Sequence, residues 1–74
     1  MNDIKEIYSL IKDISDKDKA LIQKAFDFAN LAHAGYVRKS GEPYINHLFG
    51  TAKNLASLGM NAVVVSAGLL HDSL

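Results

Sequence analysis

The chain has 74 residues, of which 49% are apolar. This length and composition indicate at most one small globular domain and exclude a disordered tail. It contains no cysteine, which excludes a disulfide framework or a thiolate metal site and suits the reducing cytoplasm, our predicted location. Its formal net charge is zero, which excludes a nucleic-acid surface built on bulk charge, so we predict no DNA partner.

The sequence also predicts no membrane contact. Charged residues occur within the first six positions, where a secretory signal would need an apolar core. The longest apolar run, from Ala62 to Leu70, is much too short to cross a bilayer and is interrupted by Ser66. We therefore expect neither a secretory signal nor a membrane partner.

Two amphipathic helices are predicted in the first half of the chain. Residues 3–14 carry an apolar residue every three or four positions, which is typical of a packing helix. Ser15 is the predicted N-cap of the second helix, and Gly35 the predicted left-handed stop. The inward faces are Ile4, Ile7, Tyr8, Ile11 and Ile14 in the first helix, and Leu21, Ile22, Ala25, Phe26, Ala29 and Ala32 in the second.

Residues 36–43 interrupt the helical pattern and contain the consecutive residues Arg38, Lys39, Ser40 and Gly41. Two cations, a hydroxyl group and a flexible backbone can together bind an anion, since arginine offers a planar fork and lysine a point charge. The alternative is an ordinary solvated basic turn. The loop alone does not distinguish the two.

Two further helices are predicted after the loop. Pro43 can open the third helix, and Gly59 can end it. Asn61 can cap the fourth, which is apolar on nearly every side and is therefore expected to be central, with a close helix crossing at Gly68. The inward face of the third helix is predicted to comprise Tyr44, Ile45, Leu48, Ala52, Leu55 and Leu58. The fold class is thus all-α with four helices.

Three ionisable residues fall on the two apolar helices of the second half. His47 lies near the start of the third helix, and His71 and Asp72 lie at the end of the fourth. Antiparallel packing brings these ends to one level, where two imidazoles and a carboxylate suit Mn, Fe, Zn or Ni. A metal beside the basic loop predicts hydrolysis of a phosphoester. The alternative for the histidine–aspartate pair is a helix end at which polarity simply returns.

A family resemblance adds to this interpretation. The string from Arg38 to His47, Arg-Lys-Ser-Gly-Glu-Pro-Tyr-Ile-Asn-His, followed by His71-Asp72, resembles the HD hydrolase domain of RelA/SpoT-type alarmone enzymes. The resemblance implies an all-α HD bundle and a hydrolase that uses Mn²⁺, or another divalent metal, to remove the 3′-diphosphate of (p)ppGpp. It also implies site roles. The metal ligands are His47, His71 and Asp72, and the contacts to the guanine base and phosphates come from Arg38, Lys39 and Ser40.

Several positions depart from the family pattern or limit it. Tyr36 replaces a usual glutamine and Leu48 a usual proline, while His33 matches a family histidine that is not a ligand. The family continues with a catalytic acidic pair one turn later and with a distant aspartate ligand. We therefore expect residues 1–74 to be a partial HD domain, truncated after the HD pair, with no catalytic residue of its own and little turnover.

Two other functions stay open at this point. The departures at Tyr36 and Leu48 fit an HD hydrolase of another nucleotide. The apolar fourth helix fits a non-catalytic helical module, and we expect a homo-oligomer formed through its exposed surface.

Overall fold

The computed structural model describes residues 3–71. Within this range the chain forms four α-helices and a single isolated antiparallel bridge, between Val37 and Pro43. The helices are α1 (Ile4–Leu10), α2 (Asp16–Ala32), α3 (Tyr44–Ser57) and α4 (Ala62–Leu70). The predicted all-α class is confirmed. No helix in the described residues has the length and apolar character needed to cross a membrane.

Helix α1 is shorter than the sequence predicted. It begins after Asp3, whose carboxylate accepts a hydrogen bond from a first-turn amide at 3.0 Å, and it ends at Leu10 rather than at residue 14. Ile11 already has an extended backbone, with φ −100° and ψ 115°, so the helix ends there, and Asp13 then takes a left-handed φ of 56°. Ile11 and Ile14 nevertheless pack against the core. The apolar spacing therefore predicted burial correctly and the helix length wrongly.

Helix α2 begins at the predicted cap, since the Ser15 hydroxyl accepts a hydrogen bond from the Asp18 amide at 3.0 Å. Gly35 has the expected positive φ of 80°. The buried face is narrower than predicted, because Leu21 is 40% exposed and Ala32 is exposed as well. The fully inward residues of α2 are Ile22, Ala25 and Ala29.

Helix α3 begins directly after Pro43 and ends at Ser57, and Gly59 follows with a φ of 85°. Leu58 was predicted to face inward but is 71% exposed, because it lies past the helix in the turn toward α4. Leu48 is completely buried, so the leucine at this departure from the family pattern fills the core. The buried residues of α3 are Leu48, Phe49, Ala52 and Ala56.

Helix α4 joins the other elements of the core. It packs against both α2 and α3, which make few direct contacts with each other. Its N-cap is Asn61, whose side-chain oxygen accepts a hydrogen bond from the Val64 amide at 3.0 Å. The central position is as predicted, but Val63 is 65% exposed, so one side of the helix remains uncovered.

Helices α3 and α4 approach each other closely at Gly68. A Cβ atom at this position would lie 2.6 Å from Cδ1 of Leu55 and 3.7 Å from Cγ2 of Thr51. Only a residue without a side chain lets the two helices approach this closely without a rearrangement of Leu55. The predicted close crossing is confirmed.

Candidate functional site

The segment before α3 forms a small hairpin. The Tyr44 amide donates to the Tyr36 carbonyl at 3.0 Å, and the Arg38 amide donates to the Glu42 carbonyl at 2.8 Å. The Gly41 amide then donates back to the Arg38 carbonyl at 2.8 Å and closes the turn. The sequence predicted a flexible loop here, whereas these backbone hydrogen bonds give it a defined path.

The tip of this hairpin carries the predicted anion-binding residues. Arg38, Lys39 and Ser40 are all exposed and line an open depression of about 760 Å³. Glu42 and Tyr44 line the same depression, and the sequence interpretation assigned neither of them to it. The carboxylate of Glu42 offsets one of the two cations, so the lining keeps a formal charge of one positive unit. This charge still favours an anion.

Four aromatic rings connect the hairpin to the helices. The ring of Tyr44 stacks on the imidazole of His33, with centroids 4.6 Å apart and an interplanar angle of 26°. Tyr36 approaches His33 edge-on at 5.8 Å, and Tyr44 approaches His47 edge-on at 5.7 Å. His33 therefore has a packing role at the end of α2.

The register of α3 and α4 determines where the two candidate imidazoles lie. Gly68 is placed against Thr51 and Leu55. His71 follows Gly68 by three residues along α4, and His47 precedes Thr51 by four residues along α3. Because α4 returns along α3 after a short connection, both histidines lie toward the same end of the pair, next to the hairpin.

The hydrogen bond of His71 identifies its tautomer. Nδ1 lies 2.7 Å from the carbonyl oxygen of Gly68, one turn earlier in the chain. A carbonyl oxygen can only accept, so Nδ1 carries the proton and the lone pair of the neutral ring is on Nε2. A ring oriented through its other nitrogen in this way is the usual arrangement of a metal-binding histidine.

The predicted ligand set extends beyond the described part of the chain. Asp72, the predicted carboxylate ligand, lies outside residues 3–71. Within those residues, no group of three or more histidines, cysteines or carboxylates is arranged to hold a metal ion. The described part therefore offers two imidazoles of suitable chemistry, and the three-residue set of His47, His71 and Asp72 stays a prediction.

Comparison with known proteins identifies the family. The family model described as HD domain matches residues 25–74. A probable chloroplastic GTP diphosphokinase of Oryza sativa subsp. japonica is 56% identical over 54 residues, which are 73% of this chain and 8% of the relative. The bifunctional (p)ppGpp synthase/hydrolase RelA of Mycobacterium tuberculosis is 43% identical over 56 residues, 76% of this chain and 8% of that protein.

A third relative, a GTP pyrophosphokinase of Streptomyces antibioticus, is 50% identical over 52 residues, 70% of this chain and 6% of the relative. The chain thus spans less than a tenth of the length of these enzymes. It belongs to the HD domain family and corresponds to the HD region of RelA/SpoT-type proteins.

Proposed function

We propose that this chain supplies part of the active site of a metal-dependent (p)ppGpp hydrolase. The proposed reaction adds water across the bond between the 3′-oxygen and its phosphorus, so that ppGpp gives GDP and pyrophosphate, and pppGpp gives GTP and pyrophosphate. The observation that carries the proposal is the hairpin, which presents Arg38, Lys39 and Ser40 around one depression beside the ring of Tyr44, itself in contact with His47.

The residues of the hairpin have distinct proposed roles. Arg38 can stack its planar guanidinium on the guanine base or bind a phosphate with two parallel hydrogen bonds. Lys39 supplies a compact positive charge, and Ser40 a hydroxyl donor, for the phosphate oxygens. Because these side chains are exposed and the backbone beneath them is hydrogen-bonded, binding would order few additional backbone torsions.

The proposed metal ligands are His47, His71 and Asp72, and the proposed metal is Mn²⁺. When bound, a divalent ion would supply positive charge that polarises the phosphoryl group and lowers the pKa of water. His71 is suited to this role because its Nδ1 proton is held by the Gly68 carbonyl. No catalytic acid or base is assigned within this chain, and we expect the 74 residues alone to give little turnover.

The test is pyrophosphate release from ppGpp with Mn²⁺ by the full-length protein that carries this chain. We expect Arg38→Ala and Lys39→Ala to raise KM by about tenfold each, because each removes a charge-assisted contact. Lys12→Ala is the matched control, since it removes an exposed cation outside the hairpin. The absence of pyrophosphate release by the wild type would overturn the proposal.

A second candidate is hydrolysis of a different nucleotide, and it is favoured by one observation. Tyr36 replaces the usual glutamine of the family, and the residue is 62% exposed at the base of the hairpin. An exposed ring offers a stacking surface for any base. The two candidates are distinguished by the rates at which wild type and Tyr36→Gln hydrolyse a panel of nucleotides. If Tyr36 sets specificity for another base, Tyr36→Gln should shift the preference toward ppGpp. If it does not, the preference should stay unchanged.

We also propose that the chain forms a homo-oligomer through an apolar groove between α2 and α4. The groove consists of two adjoining depressions, of about 240 and 410 Å³, that share Leu21 and Lys24. Phe28 and Leu70 line one of them and Val63 the other. With a formal net charge of zero, two copies repel each other little.

The cytoplasmic location stays a prediction, since some relatives are described as chloroplastic.

A further inference from the structure

Tyr44 is the residue at which the hairpin, α2 and α3 meet. Its amide donates to the Tyr36 carbonyl at 3.0 Å and so closes the base of the hairpin. Its ring stacks on His33 at 4.6 Å and meets the imidazole of His47 edge-on at 5.7 Å. It also lines the depression that Arg38 and Lys39 share. No other residue in the described part of the chain combines these contacts.

We propose that Tyr44 is a positioning residue that fixes the imidazole of His47 relative to the basic hairpin. This inference rests on the proposed function, in which His47 binds the metal and the hairpin binds the nucleotide. A histidine near a helix start can adopt several side-chain rotamers. The ring of Tyr44, itself held by His33, occupies one side of the imidazole and restricts those rotamers.

The arrangement connects two binding events. Because the ring of Tyr44 contacts His47 while its backbone closes the hairpin, a shift at either place moves the other. A metal held by His47 would therefore change the affinity for the phosphates, and the nucleotide would change the affinity for the metal by the same factor. Mutation of a residue that orients a metal ligand from outside the ligand set typically lowers metal affinity by about 10- to 100-fold.

The first experiment measures side-chain order at His47 by NMR, without metal or nucleotide. We expect a single His47 rotamer in the wild type and in Tyr44→Phe, which keeps the ring. Rotamer averaging is expected in Tyr44→Leu, which removes the ring. Phe26→Leu is the control, since it removes a ring that pairs with Phe49 at 5.9 Å, whereas the ring pair of His47 is with Tyr44. Unchanged His47 order in Tyr44→Leu would overturn the proposal.

His33→Leu provides a second test that does not alter Tyr44 itself. It removes the stacking partner of Tyr44 and should let both the Tyr44 ring and the His47 imidazole change rotamer. The His47 side chain should then show the same rotamer averaging as in Tyr44→Leu. This variant decides the matter if Tyr44→Leu does not fold, as judged by circular dichroism. A rigid His47 in a folded His33→Leu protein would count against the proposal.

The second measurement is the affinity for Mn²⁺ alone, followed by paramagnetic broadening of the His47 ring signals. Tyr44→Leu should bind about tenfold more weakly than the wild type, and Tyr44→Phe equally well. Equal affinity in wild type and Tyr44→Leu would overturn the proposal. Failure of the proposed function is distinguishable, because a wild type that releases no pyrophosphate leaves the metal-free order of His47 as an independent result.

Discussion

Gly68 of α4 and Leu55 of α3 approach so closely that a Cβ atom at position 68 would lie 2.6 Å from Leu55 Cδ1. That atom ends a flexible, partly buried side chain, so it can rotate away from one added methyl group. Alanine is also about 1 kcal/mol better than glycine within a helix. We expect Gly68→Ala to change the free energy of unfolding by less than about 1 kcal/mol, because the two effects oppose each other.

Gly68→Val should behave differently. Its additional methyl groups extend toward Thr51 as well as Leu55, and overpacking of this kind costs about 1–3 kcal/mol. We expect a loss of about 2 kcal/mol in urea denaturation. The same substitution in a Leu55→Ala background should cost less, and an equal loss in both backgrounds would contradict the close-crossing explanation.

The contribution of the Asn61 cap to the free energy of unfolding should be measurable separately from other contacts. Its side-chain oxygen accepts a hydrogen bond from the Val64 amide at 3.0 Å, at the start of a helix that contacts both α2 and α3. Asn61→Ala removes this acceptor and should lower the free energy of unfolding by about 1 kcal/mol. Asn61→Asp keeps an acceptor and should lower it by much less, so similar losses in both variants would argue against a capping role.

Tyr8 should make stability depend on alkaline pH. Burial raises the pKa of Tyr8, and the negative charge of Asp27 raises this pKa further. Since the pKa is higher in the folded state, its stabilising contribution is complete below the ordinary value near 10 and is lost as pH rises through the folded value. The free energy of unfolding of wild type and of Tyr8→Phe can be measured by denaturation from neutral to alkaline pH. It should fall more steeply with pH in the wild type.

The same variant tests a neutral-pH contact. The Tyr8 hydroxyl donates to the Lys19 carbonyl at 3.0 Å and connects α1 to α2. Tyr8→Phe should lower the free energy of unfolding by about 1 kcal/mol at neutral pH. If the free energies of unfolding of wild type and variant instead fall in parallel above pH 9, ionisation of Tyr8 does not contribute to the loss of stability at alkaline pH.

The proposed self-association depends on one face of α4. Val63 is 65% exposed in the groove, whereas Leu58 is 71% exposed at a position outside it. Val63→Lys places a charge in the proposed contact and should shift sedimentation toward the monomer. Leu58→Lys adds the same charge elsewhere and should leave the distribution unchanged. A wild type that sediments as a monomer at all concentrations would exclude the homo-oligomer.

The sequence predicted local features well because they depend on neighbouring residues. Ser15 and Asn61 cap helices through contacts only three residues away, and Gly35 and Gly59 take the positive φ expected of helix stops. The early end of α1 is not predictable in the same way, because Ile11 has the apolar spacing of a helix residue but takes an extended backbone.

The site was predictable only in its chemistry. Arg38, Lys39 and Ser40 were identifiable from residue type, and the structure places them around one depression. The contacts of Tyr44 could not be foreseen, because apolar spacing assigned it only to an inward helix face. Its stacking on His33 joins positions eleven residues apart and depends on the hairpin closing.

The position of α4 between α2 and α3 has a consequence for the order of folding. A chain synthesised from its N-terminus completes α1, α2 and α3 before the residues of α4 exist. Because α2 makes few direct contacts with α3, its buried residues Ile22, Ala25 and Ala29 have little apolar surface to pack on until α4 is present. Packing of α2 onto the rest of the core is therefore expected to wait for residues 62–70.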